Sequence, residues 1–178
     1  MKNVVFFLLL FVSGAVLAQE KYTTKKGTIS FEASVPSFEE VKAKNSSVTA
    51  ILNTDNGEFA ALALMKGFRF KNALMEEHFN ENYVESDDYP KATFKGKLVG
   101  FDKNDIRNEY TIEGTLTLHG KSKNISVKGS LHKNDDTFLV SSSFKTKPED
   151  FDIKIPGIVS KKIAEDILVN FEFKLIKK

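Results

Sequence analysis

The sequence predicts an all-β chain of about eight antiparallel strands, closed into an up-and-down barrel or folded into a strongly bent sandwich. Two observations carry this. From Glu109 to Leu131, apolar or small residues recur at every second position: Tyr110, Ile112, Gly114, Leu116 and Leu118, then Ile125, Val127, Gly129 and Leu131. Thr, Glu, Lys, Asn and Ser fill most of the places between them, which is the period-two pattern of half-buried strands. The same pattern returns along most of the chain, and its segments are joined mainly by short, turn-rich connections that suit antiparallel neighbours.

Taken in order, the first element is not part of the fold. Lys2 precedes an unbroken apolar run from Val4 to Val12, and Val16-Leu17-Ala18 ends it on a small residue. Residues 1–18 therefore read as a secretory signal peptide, too short and wrongly flanked for a membrane span. Residues 19–178 then form one domain, exported to the periplasm or secreted. Gln19 to Lys26 is polar and reads as a loose leader. Thr28 to Ser34 alternates, with Ile29, Phe31 and Ala33 on one face, until Pro36 ends it. Ser37 to Lys44 fits either a helical turn (Phe38, Val41) or a strand (Val41, Ala43). Val48 to Asn53 is a short strand. Thr54-Asp55-Asn56-Gly57 is a hairpin turn in which Asn-Gly supplies positive φ angles.

Glu58 to Phe70 reads as one long strand with both faces apolar, Phe59, Ala61, Ala63 and Met65 against Ala60, Leu62 and Leu64. Such a strand asks for a lumen behind it and a covering element in front. Asn72 can cap a helix from Ala73 to about Asn82, with Leu74, Met75, Phe79 and Tyr83 near one stripe. Ser86 to Pro90 is a turn. Lys91 to Val99 places Ala92, Phe94, Gly96 and Leu98 inward. The two strands already described follow, joined by a tight turn at His119-Gly120. Asp136 to Lys145 carries Phe138, Val140, Ser142 and Phe144 on one side. Pro148 to Asp166 is a long connection with a short helix from Ser160. Leu168 to Ile176 closes the chain, with Val169, Phe171, Phe173 and Leu175 alternating.

Gly96, Gly114 and Gly129 occupy inward positions in mid-strand, where glycine gives up packing. They are a hollow band around a ligand, coiling points that let the barrel close, or both. The lumen candidates are Phe59, Ala61, Met65, Phe94 and Gly96, then Tyr110, Ile112, Gly114, Ile125, Val127 and Gly129, and finally Phe138, Phe171 and Phe173. Leu74, Met75 and Phe79 of the helix close one end or brace the wall. Lys66, Arg69 or Lys71 could meet an anionic head group near the strand–helix junction.

Other chemistries are disfavoured. The chain has 26 basic and 24 acidic residues, with the lysines scattered, so there is no electrostatic case for nucleic acid. It has no Cys, which removes thiol catalysis, thiolate metal sites and lipid attachment through a thioether. His78, His119 and His132 lack ligand spacing, so no metal site is expected. There is no Gly-x-Ser-x-Gly elbow and no phosphate loop. Asp87-Asp88 and Asp135-Asp136 sit in turns, where Asp bonds locally. The expectation is a non-enzymatic protein without a cofactor. Of its sixteen Phe, three lie in the leader, and Trp is absent. Those rings suit an apolar interior, and they could also fill it. The rival reading is thus a structural or interaction module of the envelope with a side-chain-filled barrel. A homodimer is left open.

Three segments carry a family resemblance. They are Leu74-Met75-Glu76-Glu77-His78-Phe79-Asn80-Glu81-Asn82-Tyr83, Tyr89-Pro90-Lys91-Ala92-Thr93-Phe94, and Gly114-Thr115-Leu116-Thr117-Leu118-His119-Gly120-Lys121-Ser122-Lys123. Together they resemble the YceI-like proteins, in particular a Bacteroidetes-type branch. Asp150-Phe151-Asp152-Ile153 looks like that family's Asp-Phe-Gly-(Ile) segment, with Asp152 where Gly is usual. The likeness spans about Gly27 to Leu175. Better-known members begin with a Trp-containing strand, and this chain has no Trp. The resemblance implies a lipocalin-like eight-stranded antiparallel β-barrel with one or two short helices. It also implies that the barrel lumen binds a long isoprenoid or other amphiphilic lipid.

Overall fold

The computed structural model describes residues 20–36 and 38–178; the segment read as a signal peptide, 1–18, lies outside the described residues. The strands are β1 (Lys21–Ser34), β2 (Lys42–Asn53), β3 (Glu58–Leu64), the two-residue β4 (Arg69–Phe70), β5 (Lys91–Leu98), β6 (Glu109–Leu118), β7 (Lys121–Asn134), β8 (Thr137–Thr146) and β9 (Ile163–Lys177). Helix α1 (Ala73–His78) follows β4 and α2 (Gly157–Ser160) precedes β9. Each long strand pairs antiparallel with its neighbours in chain order, and β9 returns to β1, which also pairs with β2. The result is a closed eight-stranded antiparallel barrel of the lipocalin-like kind, with β4 attached at the start of β2. Among the described residues, closure leaves no long edge strand exposed.

Several boundaries differ from the sequence reading. Residues 21–26 belong to β1 and not to a leader: Tyr22 is buried and its ring meets Phe138 edge-on at 4.7 Å. Register shifts flank Gly27, so Tyr22 and Ile29 both point inward although simple alternation separates them. The ambiguous stretch before Lys44 resolves as loop and strand, with β2 starting at Lys42. In the β2–β3 turn Gly57 alone takes a positive φ, of 74°; Asn56 does not.

The predicted long strand 58–70 breaks after Leu64 into a 3-10 turn at Met65–Gly67. The buried Asn45 side chain donates to the Leu64 carbonyl at 2.9 Å, and Gly67 lies against it, which turns the chain inward. Among the described residues no element covers the outer face of β3, and Leu64 is 51% exposed. Helix α1 lies instead at one end of the barrel. Its N-terminus is capped as expected, with Asn72 Oδ1 accepting from the Leu74 and Met75 amides. After His78 it widens into a π turn at Phe79–Tyr83. The last connection also differs: α2 ends at Ser160 rather than beginning there, and β9 starts at Ile163.

The two barrel ends are unlike. The end formed by the start of β1, the end of β2 and the β5–β6 and β7–β8 turns is solid. Leu52, Leu98, Leu131 and Leu175 are essentially inaccessible there, beside Tyr22, Tyr110 and Phe138. Tyr110 keeps its polar tip satisfied by accepting from the Arg107 amide at 2.9 Å. The opposite end carries α1, the β6–β7 hairpin and the 147–162 connection. His119, at φ 50° in that hairpin, donates from Nδ1 to the Phe151 carbonyl at 3.0 Å. Its Nε2 sits 2.7 Å from the Glu85 carboxylate, and its ring packs against Tyr89 at 4.4 Å, tilted by 59°. One side chain thereby ties three loops together around that rim.

Candidate ligand-binding site

The barrel is hollow at the α1 end. A cavity of about 410 Å³ opens there, within the usual range for small-molecule sites. Its floor is a cluster of rings: Phe59 lies 6.0 Å from Phe94 and from Phe173, and Phe171 stacks on Phe173 at 4.9 Å. The walls are the inward faces of the strands, with Ala61 on β3, Ile112 and Leu116 on β6, and Ile125 and Val127 on β7. A second ring cluster closes over the mouth, where Phe79 packs 5.1–5.9 Å from Phe70, Phe31 and Phe68.

Of the residues expected to face a lumen, Phe59, Ala61, Met65, Phe94, Ile112, Ile125, Val127, Phe171 and Phe173 line this cavity, and Leu74, Met75 and Phe79 stand at its mouth. Five do not line it. Tyr110 and Phe138 belong to the solid end, so the barrel is half filled. Gly96, Gly114 and Gly129 form no hollow band. A Cβ on Gly96 or on Gly114 would lie 2.7 Å from Phe94 Cζ, because that ring lies across the cross-strand glycine pair. A Cβ on Gly129 would meet Ile112 Cδ1 at 2.5 Å. The glycines make room for the cavity's own side chains.

Sequence reasoning missed part of the wall. Ile29, Phe31, Phe144 and Val169 face the cavity from β1, β8 and β9. Their faces were legible from the same alternation that named Phe171. Val159, Ile155 and Ile153 also line it, from the connection before β9, where no periodicity pointed to them.

Polar groups sit at the rim. Glu39, Asn72 and His78 occupy the arc beside α1, while Thr146, Lys147 and Lys162 occupy the arc at the ends of β8 and β9. The cations first considered for a head group are already engaged. Lys66 pairs with Asp87 at 2.5 Å, Arg69 with Glu76 at 2.8 Å and Lys71 with Glu40 at 2.6 Å. Glu76 also accepts from the Phe70 amide and Asn72 donates to Glu39, so these bonds anchor α1 over the opening. The hydrogen bond and charge of Lys71 hold the Glu40 carboxyl below the usual carboxylate range. Among the described residues, no three His, Asp or Glu side chains converge as a metal site.

A barrel with one solid end, a hollow apolar half and a helix across the mouth is a binding architecture. The YceI-like domain model matches residues 21–175, from the first strand to the last. The chain belongs to the YceI-like family. No protein of curated function matches it significantly. Its fold is similar to BcnA of Burkholderia cenocepacia, at 16% identity and a TM-score of 0.70, over 84% of this chain and 96% of that one. It is also similar to a polyisoprenoid binding domain from Saccharophagus degradans implicated in plant cell wall breakdown, at 13% identity and a TM-score of 0.75, over 90% and 100%. The Campylobacter jejuni YceI protein matches at 18% identity and a TM-score of 0.59, over 100% and 99%. At these identities the likeness concerns the fold. Within the YceI-like hairpin and Asp-Phe segments, Asp152 adopts φ 56°. This left-handed conformation is the one that favours Gly and that Asp tolerates.

Proposed function

We propose that this YceI-like protein is an exported, non-enzymatic carrier that holds the tail of a long isoprenoid or similar amphiphile in its half-open barrel. The observation that carries this reading is the Phe-floored cavity, apolar to its rim and open at one end only. The Saccharophagus degradans neighbour, described as polyisoprenoid-binding, supports the ligand class. The apolar leader at 1–18 supports export, and the run Glu76–Tyr83 supports placement in a Bacteroidetes-type branch.

Magnitudes favour a long tail. Each buried methylene contributes roughly 0.8 kcal/mol, against an association cost of roughly 4–15 kcal/mol. A tail of fewer than about ten carbons therefore binds weakly. The wall from Ile112 to Leu118 spans roughly 20 Å of strand, or roughly 15 Å along the axis at a tilt of about 40°. A tail longer than that reaches the mouth, where its polar end meets the rim.

Displacement of an apolar fluorescent probe by a series of prenyl alcohols of rising length tests this. The expected result is an affinity that climbs with chain length and then levels off. No probe uptake, or displacement independent of tail length, would contradict it. Export is checked by the mass of the protein recovered outside the cytoplasm, expected to begin at Gln19.

A further inference from the structure

We propose that Thr146, Lys147 and Lys162 form a recognition site for an anionic head group, a phosphate or a carboxylate, on the amphiphile whose tail fills the cavity. This rests on the carrier reading above. Three observations place it there.

First, these two lysines are the cations of the cavity lining and are weakly neutralised. Among the described residues Lys162 has no carboxylate within ion-pair distance. The nearest to Lys147 is Glu149, at 3.6 Å, beyond a hydrogen bond and on an exposed side chain. The other acid close by, Asp150, bonds Lys123 Nζ at 2.5 Å and accepts from the Lys147 amide at 3.2 Å. It therefore fixes the backbone of Lys147 and feels its charge, while its own side-chain bond goes to Lys123, which leaves Lys162 the freer cation of the two. Asp166 faces away toward Lys145, at 4.0 Å.

Second, Thr146 follows Phe144 on the inward face of β8, opposite Ile167. Its Oγ1 is buried and has no hydrogen-bond partner. An unpartnered buried hydroxyl is costly, and here it lies on the wall of a ligand cavity just below Lys147. An anionic oxygen at the mouth would accept from both ammonium groups, and from this hydroxyl once its side chain turns toward the opening. Charge-assisted bonds of that kind are about twice as strong as neutral ones.

Third, the remaining rim selects against an anion. Glu39 lines the α1 arc, and Lys66, Arg69 and Lys71 are occupied by carboxylates. The mouth is thus polarised, acidic beside α1 and basic at the ends of β8 and β9, which orients a ligand head toward Lys147 and Lys162.

The test compares ligands with identical tails, geranylgeranyl monophosphate against geranylgeraniol and palmitate against hexadecanol, on the mature protein. The anionic member of at least one pair should bind about tenfold tighter or more at low salt, with the margin shrinking as salt rises. The pair that shows it identifies the head as phosphate or carboxylate. In Lys147→Met/Lys162→Met the margin between acid and alcohol should vanish, and Lys147→Arg/Lys162→Arg should retain most of it. Lys161→Met, one residue away with the same loss of charge, should keep the margin. Equal binding of acid and alcohol by the unaltered protein would overturn the head-group site and leave the carrier reading standing. So would a margin that survives in the double Met variant. Failure of all four ligands to enter would overturn both.

Discussion

The Phe94 ring lies over Gly96 and Gly114, and a Cβ on Gly27 would meet Phe173 Cε1 at 2.9 Å. Side chains that build the cavity floor are seated on glycines of the same wall. This makes the glycines structural, and it changes which substitutions are informative. Gly96→Ala would press a methyl against Phe94 and the backbone of β6, so it should cost about 1–3 kcal/mol in urea unfolding. A value near zero would mean that both the ring and the facing β6 backbone give way. Filling the cavity from a position with free space ahead of it separates binding from folding. Ala61→Phe projects a ring into the hollow half and should lower tail affinity at least tenfold, with a stability cost of no more than about 1–3 kcal/mol. Unaltered affinity would show that the tail lies elsewhere. The inward faces around these residues were readable from alternation. What sat above each glycine was not, because that depends on the cross-strand pairing of Gly96 with Gly114.

Among the elements, α1 matters most, since it is short and still spans the opening. It holds through its Asn72 cap, through Glu76 bonded to Arg69 and the Phe70 amide, and through Phe79 in the upper ring cluster. Leu74, at the mouth, is 56% exposed, so little packing holds the helix there. Asn72→Ala should cost about 1 kcal/mol and speed amide exchange over residues 73–83 while β6 and β7 keep their protection. Faster ligand release should accompany it if α1 is the gate. Unchanged exchange would show that the ring cluster alone fixes the helix. The cap was legible because Asn immediately precedes an amphipathic run. The helix's place at the mouth was not: both faces of 58–70 are apolar, which suggested a cover, and the break after Leu64 depends on a bond from Asn45, nineteen positions earlier. Residues 21–26 were lost for a similar reason, as the irregularity around Gly27 shifts the alternation by one.

For the whole molecule, the strand content and the antiparallel meander followed from period-two runs joined by short turns, while closure into a barrel rather than a bent sandwich came only from the family resemblance. The division into a solid and a hollow half did not, since Tyr110 and Phe138 alternate in the same manner as Ile112 and Phe171. Only the stagger of a closed barrel decides which layer each occupies. Surface ion pairs belong to this scale too. Glu20, Glu40, Asp55, Asp150 and Asp152 are each held below the ordinary carboxylate range, chiefly by a hydrogen bond from a lysine. Lys71, Lys103, Lys121 and Lys177 are raised by the same pairings. A depressed carboxyl stabilises the fold above its unfolded value and loses that contribution as pH falls through its folded value. A raised lysine stabilises below its unfolded value and loses it as pH climbs through its folded one. The melting temperature should therefore stay level between about pH 5 and 10 and fall on either side. Each exposed pair is weak, so high salt should flatten both slopes. A maximum at acid pH would contradict the sign.

The central claim is that the hollow half of the barrel takes up a long apolar tail. Native mass spectrometry of the mature protein, isolated from outside the cytoplasm and then incubated with long-chain prenyl lipids, tests it most directly. The account predicts one added mass per chain, carried from the cell or acquired on incubation, and lost in Ala61→Phe. An apo mass that stays unchanged with every lipid offered would contradict it.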